Sequence, residues 1–203
     1  MIKILEGLGE VELVDHMGGD LSVVNSARVS YNKRKKEIDS KDERLIKYLW
    51  KNHHTSPFRH STLQFRVLAP IFVLRQWMKH QVGCAWNERS GRYTEFENES
   101  YQPRFLFEDD RSIKQGSAEE QIKDSATMAL LNDSLSDSFD NYSVLLKCGV
   151  SREQARAVLP VGMLSECYWT CSLHALMHFL TLRLDSHTQY ELRLFAREIH
   201  SLV

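Results

Sequence analysis

The chain has 203 residues, 42% of them hydrophobic, with a formal net charge of -1 and a pI near 6.8. That length can bury one good core and reads as a single domain spanning residues 1–203, with no convincing linker. The balanced charge argues against a general nucleic-acid or membrane-surface binder and favours phosphate-bearing small molecules, and no stretch approaches the roughly 20 apolar residues of a membrane span. The four cysteines, Cys84, Cys148, Cys167 and Cys171, form neither a CxxC pair nor a secreted framework, so free thiols and a cytoplasmic location are expected.

From the N-terminus, residues 2–14 alternate loosely and suggest strands broken at Gly7 and Gly9. Gly18-Gly19-Asp20 looks like a turn leading into a helix. Asp42 to Trp50 places Leu45, Ile46, Tyr48, Leu49 and Trp50 largely on one helical surface, and His53 to His60, interrupted by Pro57, reads as a polar loop. Thr62 to Leu68 alternates as a strand. Pro70 to Met78 reads as a helix opened by proline, with Ile71, Leu74 and Met78 as its buried stripe. On that reading Gln76, Lys79, His80 and Gly83 share a second face, with Arg92 arriving from a following extended segment. The charged stretch from about Phe107 to Gly116 is expected as a loop or insertion.

Ala118 to Lys147 reads as a long helix with Met128, Leu131, Leu135, Phe139 and Leu146 recurring, stopped at Gly149. Ser151-Arg152-Glu153-Gln154 opens a further helix ending near Pro160, and Ser165 to Thr170 reads as extended. A last pair of helices closes the chain. In the first, Leu173, Met177, Leu180 and Leu184 form the apolar stripe, beside a polar stripe of His174, His178, Thr181 and Asp185. The fold class is α+β: helix-rich, with one antiparallel or mixed sheet.

Arginines recur where apolar helices break, at positions 75, 92, 156 and 183. Singly, each reads as a surface ion-pair partner. Together with Gln76, Lys79, Glu88 and Ser90 they offer what a nucleotide needs: bidentate charge for phosphate and directional donors for base and sugar. Nine histidines raise a metal reading, but the His174/His178 pair lacks the glutamate of HExxH, and no metal is expected. Gly7 and Gly9 begin a GxG, yet Glu12 occupies the third glycine position of a dinucleotide fingerprint. There is no P-loop either, so a phosphate site must be built from side chains. No GxSxG elbow surrounds Ser90, which suits substrate hydrogen bonding better than nucleophilic attack.

Five blocks now carry a resemblance: Ala27-Arg28-Val29-Ser30-Tyr31, His54-Thr55-Ser56-Pro57-Phe58, the Pro70 to Tyr93 region, Arg156-Ala157-Val158-Leu159-Pro160, and Leu182-Arg183-Leu184-Asp185-Ser186-His187-Thr188-Gln189. In order and content the chain resembles the flavin-dependent thymidylate synthases, whose signature is Arg-His-Arg with a serine downstream. Here Lys79-His80-Gln81 replaces that triplet, and one additional residue separates it from Asn87-Glu88-Arg89-Ser90. Arg59 stands where members often carry glutamate, and Ser172, His174 and His178 stand where Asn, Arg and Asn are usual.

The resemblance implies reductive methylation of dUMP to dTMP, with FAD as cofactor, methylenetetrahydrofolate and NADPH as cosubstrates, and a homotetramer whose subunits share active sites. It implies Arg183 as the pyrimidine-polarising group, with Ser90 beside it in the catalytic set. Gln76, Lys79, Glu88, Arg89, Ser90, Gly91, Arg92, Arg156 and Arg183 fall at nucleotide-binding positions. Ser30, Thr55, Lys79, His80, Gln81, Asn87, Ser172, His174, His178 and His187 fall at FAD positions. Two alternatives stay open: a flavoenzyme that leaves a hydroxymethyl pyrimidine nucleotide, and a noncatalytic homologue that binds nucleotide or flavin.

Overall fold

A computed structural model describes residues 1–103, 106–109 and 121–203. In chain order its elements are strand β1 (Ile2–Ile4), strand β2 (Gly9–Met17), helix α1 (Asp20–Arg28), helix α2 (Ser40–Lys51), strand β3 (Thr62–Pro70), helix α3 (Ile71–Trp77), strand β4 (Cys84–Glu88), the short strands β5 (Leu106–Phe107) and β6 (Gln121–Ile122), helix α4 (Ser125–Lys147), helix α5 (Arg152–Ala155), strand β7 (Leu164–Ser172), helix α6 (Leu173–Arg183) and helix α7 (Tyr190–Leu202). The α+β class holds, and the main sheet is wholly antiparallel, ordered β1-β2-β3-β7-β4. Most of the Phe107 to Gly116 stretch expected as a loop lies outside the described residues.

Alternation sets the sheet. Phe65, Val67 and Ala69 of β3 and Cys167, Trp169 and Cys171 of β7 are buried, while Arg66 on the opposite face forks onto Glu166 at 2.8 Å through both Nε and Nη2. Phe65 lies opposite Trp169, and Trp169 opposite Trp86. Their rings stack across three strands at 5.4 and 5.5 Å. Trp77 stands edge-on over Trp169 at 5.1 Å and stacks on Phe179 at 5.0 Å, so α3 and α6 meet on this aromatic row. Phe195 and Ile199 of α7 complete the cluster. Gly9 opens β2 at a point where a Cβ would lie 2.7 Å from the Phe195 ring, so the close strand–helix approach there needs glycine.

A smaller cluster of Val23, Leu49 and Phe58 joins α1 and α2 to Leu173 and Met177 of α6. Helix α2 starts at a capping box: Asp39 accepts from the Lys41 and Asp42 amides, and the Asp42 carboxylate accepts from the Asp39 amide. The fully buried Asp42 is also held by Arg28 and Lys35, and these two cations keep its carboxyl well below the ordinary carboxylate range.

Several expectations need correction. Tyr48 is exposed, and Asp42 rather than Tyr48 shares the inward face of α2 with Leu49. The His53 to His60 stretch is not a purely polar loop: it contains a 3-10 turn, Ser56–Arg59, that buries Pro57 and Phe58. β3 continues through Pro70, so α3 begins one residue later, and its buried face is Val73, Leu74 and Trp77 rather than Ile71, Leu74 and Met78. Helix α6 buries Ala175, Leu176, Phe179 and Leu180, a face rotated from the expected stripe because the aromatic row claims Phe179. Ser165 to Thr170 is extended as expected, within the longer nine-residue strand β7 that is paired on both sides. Ser151 to Pro160 makes only one α-turn, α5, followed by a 3-10 turn over Arg156–Val158. Gly149, at φ +83°, does follow the end of α4 as expected.

Candidate functional site

Helix α3 ends at Trp77, so Lys79, His80 and Gly83 do not continue the Gln76 face as a helix. They lie in a turn between α3 and β4 instead. The turn brings His80 against α6: its Nε2 accepts from Arg183 Nε at 3.0 Å, and its ring lies 5.1 Å from Phe179 and 5.8 Å from His178. Burial, then the Arg183 charge, then His178 push the His80 imidazole down to about 4. It is therefore neutral near pH 7, the form able to accept the Arg183 bond. Burial also lowers the Arg183 guanidinium from its ordinary value, and among the described residues Arg183 has no carboxylate partner.

Gln76 donates from Nε2 to Gln189 Oε1 at the start of α7. Gln76, Arg183 and Gln189 line one open concavity of about 1290 Å³, together with Phe72, Tyr101, Leu131, Pro160, Thr181 and His187. Its walls are mixed: aromatic and aliphatic groups from α3 and α4, and polar groups from the segment after α6. Tyr101 donates to Glu191 at 3.1 Å, and burial ahead of the Glu191 charge raises its phenol above the ordinary range. This combination can hold a planar heterocycle between apolar surfaces with a fixed cation at its edge.

A second group forms after β4. The Arg92 amide donates to Ser90 Oγ at 3.3 Å, and Arg92 Nε donates to Glu153 Oε2 at 2.9 Å. Arg156 Nε donates to the Glu153 carbonyl at 3.3 Å, so Glu153 draws both arginines to one place. Gly91 is buried between them: a Cβ there would overlap the Phe96 ring and come within 3.2 Å of Arg156 Cδ. Arg92 sits in a turn rather than the expected extended segment. Arg89 is turned onto its own loop, donating to the Glu95 carbonyl at 2.8 Å with its guanidinium 4.8 Å from the Phe96 ring centre. Glu88 and Asn87 are exposed on edge strand β4.

The third group surrounds the start of α6. Ser172 caps the helix, accepting from the Ala175 amide at 3.2 Å, and Gly83 crosses so closely, at φ +76°, that a Cβ would lie 2.8 Å from Ser172 Oγ. Arg59 Nη2 donates to Thr55 Oγ1 at 3.2 Å. His174 is held below the ordinary imidazole range by burial, then by Arg59 and His178, which places Thr55, Arg59, Ser172, His174 and His178 in one neighbourhood. Its chemistry, hydroxyl and ring donors around one permanent cation, fits the diphosphate of a flavin dinucleotide. Because His178 also acts on His80, this group adjoins the Arg183 group.

Other expected positions are exposed, and of these His187 alone borders the concavity that Arg183 lines. Ser30 is exposed in a 3-10 turn after α1, Lys79 and Gln81 are exposed, and His187 is exposed with its Nδ1 2.8 Å from Asp185 Oδ1. Among the described residues no hydrogen bond or ion pair joins the Arg92–Arg156 group to Arg183. Two contributors carried no individual expectation: Glu153, which gathers the arginines, and Gln189, which holds Gln76. Glu153 opens a predicted helix and Gln189 closes a resemblance block, but the contacts Arg92–Glu153 and Gln76–Gln189 cross the chain and leave no local periodicity. Among the described residues no three His, Cys, Asp or Glu side chains gather as a metal-binding group, and no described helix is long and apolar enough to cross a membrane.

Comparison with known proteins points one way. The family described as thymidylate synthase complementing protein matches residues 12–203. A flavin-dependent thymidylate synthase of Kosmotoga olearia is 43% identical over 197 residues, covering 96% of this chain and 84% of the relative. One from Thermus thermophilus is also 43% identical, over 195 residues, covering 96% of this chain and 71% of the relative. Among solved structures, the UMP/dUMP methylase PolB of Streptomyces cacaoi bound with 5-Br dUMP is similar with a TM-score of 0.82 and 35% identity, covering 96% of this chain and 89% of that one. The same protein bound with 5-Br UMP gives 0.78 and 34%, covering 96% of this chain and 88% of that one.

Proposed function

The chain belongs to the flavin-dependent thymidylate synthases, a family of methyltransferases, and from that membership we propose that it methylates dUMP to dTMP using bound FAD, methylenetetrahydrofolate and NADPH. The observation that carries the reading is Arg183: a partly buried guanidinium with no carboxylate partner among the described residues, oriented by a neutral His80 and lining the same concavity as Gln76. Carbon–carbon bond formation at C5 of uracil needs electron density there and stabilised negative charge on the carbonyl edge. A fixed cation in a partly dry site supplies that stabilisation without proton transfer.

The remaining roles follow from the three groups. Arg92 and Arg156 bind the nucleotide phosphate, with Glu153 holding them in place until the dianion arrives. Gly91 allows backbone to approach the ligand, and Ser90 supplies a local hydrogen bond. Gln76, Lys79, Glu88 and Arg89 complete the nucleotide set, Gln76 being oriented by Gln189. Thr55, Ser172, His174 and His178 hold the flavin from the start of α6, with Ser30, Lys79, His80, Gln81, Asn87 and His187 as further contacts. Bound flavin supplies the hydride that converts the transferred one-carbon unit to a methyl group.

Ser30 and His187 are exposed, and the Arg92–Arg156 group lies apart from Arg183. Both facts support a homotetramer in which neighbouring subunits close each site. A core drawing residues from Ile4 to Ile199 supports one domain over 1–203. The test is to purify the protein, record its visible spectrum, and supply dUMP, methylenetetrahydrofolate and NADPH anaerobically. A flavin spectrum with formation of a methylated nucleotide by mass supports the proposal. A hydroxymethyl product, or no flavin binding and no turnover, rejects it. Because PolB is described as acting on both UMP and dUMP, UMP belongs in the same assay.

A further inference from the structure

The segment after α1 carries the basic run Lys33-Arg34-Lys35-Lys36. Its backbone is fastened on either side of Arg34, at Lys33 and Lys35. Asn25 clamps Lys35 twice, accepting from its amide at 2.8 Å and donating to its carbonyl at 3.0 Å. The Lys33 amide donates to the Arg28 carbonyl at 3.2 Å, after Asn32 turns the chain at φ +53°. The Lys35 ammonium is committed to Asp39 and the buried Asp42, and Arg28 shares Asp42.

Lys33 and Arg34 differ from that third cation. Both are exposed, and among the described residues neither side chain has a hydrogen bond or an ion pair. Together with His60, Asn25 and Ser26 they line a second concavity of about 380 Å³. Two permanent cations thus stand on a fastened backbone, facing a hollow, with no ion pair to an acid among the described residues. A backbone fastened beforehand lowers part of the ordering cost of capturing an anion, and an arginine beside a lysine suits a phosphate with several free oxygens.

We propose that this hollow binds the phosphate monoester of a dinucleotide reductant, the 2′-phosphate by which NADPH differs from NADH. A monoester carries close to two charges near neutral pH, matching two uncompensated cations, whereas each phosphorus of a flavin diphosphate carries one. The volume, near the lower end for ligand pockets, suits a phosphorylated ribose rather than a whole dinucleotide. The inference rests on a nicotinamide dinucleotide serving as reductant, and it adds the group that selects between the two forms.

The test uses the flavin-loaded full chain and the double variant Lys33→Gln/Arg34→Gln, with Arg34→Lys as the charge-retaining control. Calorimetry measures the dissociation constants of NADP+ and NAD+, and stopped-flow reduction of bound flavin by NADPH and NADH gives the second readout. The expected result is a loss of about 10-fold or more in NADP+ affinity in the double variant, with NAD+ affinity unchanged, NADPH preference abolished and Arg34→Lys intermediate. Unchanged NADP+ affinity, equal weakening of both dinucleotides, or a wild-type protein that does not prefer NADP+ overturns the proposal. Nucleotide methylation at saturating reductant is scored separately, so failure of the overall reaction is distinguishable from failure of this site.

Discussion

Protonating His80 should cost the fold stability and release Arg183, and the size of that effect can be worked from the site. The ring titrates near 6.5 when unconstrained and is pushed down to about 4 by burial first, then by Arg183 and His178. Between those values the unfolded chain binds a proton that the folded chain refuses. Stability is therefore full above about pH 6.5 and falls as the pH drops toward 4. Each tenfold loss of proton affinity on folding is worth about 1.4 kcal/mol, which sets a ceiling near 3 kcal/mol. The ring is only partly buried, so solvent screening reduces the expected contribution to about 1 kcal/mol. Denaturant unfolding at a series of pH values, on wild type and His80→Gln, reads it as a difference in acid slope. Imidazole titration by NMR reads the site directly: His80 near 4 in wild type, higher in Arg183→Gln, and still below 6.5 because burial is the larger cause. Titration near 6.5 in wild type, or identical acid slopes for the two proteins, would refute this reasoning.

Three further perturbations separate chemistry from architecture. Arg183→Gln should lower turnover by about 100-fold, the usual scale for losing one fixed charge-stabilising donor, while nucleotide affinity changes less; a wild-type rate rules out its role. Gly91→Ala should reduce kcat/KM for dUMP on the order of 10-fold by displacing Phe96 and Arg156. Gly91→Ala/Phe96→Ala should recover part of that loss, and a double variant no better than the single shows that crowding is not the cause. Trp77→Ala should destabilise the fold by about 3–5 kcal/mol in denaturant melts, since the indole is fully buried between Trp169, Phe179 and Phe195; a loss under about 1 kcal/mol contradicts the aromatic row as the centre of the core.

Where local pattern and local chemistry coincide, the sequence was legible. The capped helix α2, the alternating strand β3 and the Gly149 stop each carry their instructions within a few residues. Strand β7 was legible over Ser165 to Thr170 but short of its full length, because Glu166 and Tyr168 dilute any apolar run and its pairing on both edges leaves no local mark. The expected face of Gln76, Lys79, His80 and Gly83 failed for a different reason. Met78 and Lys79 are good helix formers, yet the chain turns there and sets His80 against Arg183 and Phe179, contacts that no local pattern encodes. The face of α6 shows the same limit: spacing marked Leu173, Met177, Leu180 and Leu184, whereas Phe179 packs on Trp77 and turns Ala175, Leu176 and Phe179 inward.

The candidate site divides the same way. Residue types and blocks pointed to Arg183, Arg92, Arg156 and Gly91, and the fold gives Arg183 a neutral histidine partner and the other three a common neighbourhood. No spacing rule reveals that Arg92 joins Glu153, or that Gln189 orients Gln76, since those partners lie far apart in the chain and come together only on folding. Nor does the sequence distinguish Lys35, committed to Asp42, from its neighbours Lys33 and Arg34, whose side chains have no hydrogen bond or ion pair among the described residues.

A crystal of the FAD-loaded protein soaked with 5-bromo-dUMP examines the central claim most directly. The expected result is the Arg183 guanidinium within hydrogen-bonding reach of the pyrimidine carbonyl edge, with Arg92 and Arg156 on the phosphate. Guanidinium groups directed into bulk solvent, with nucleotide bound elsewhere, would contradict it.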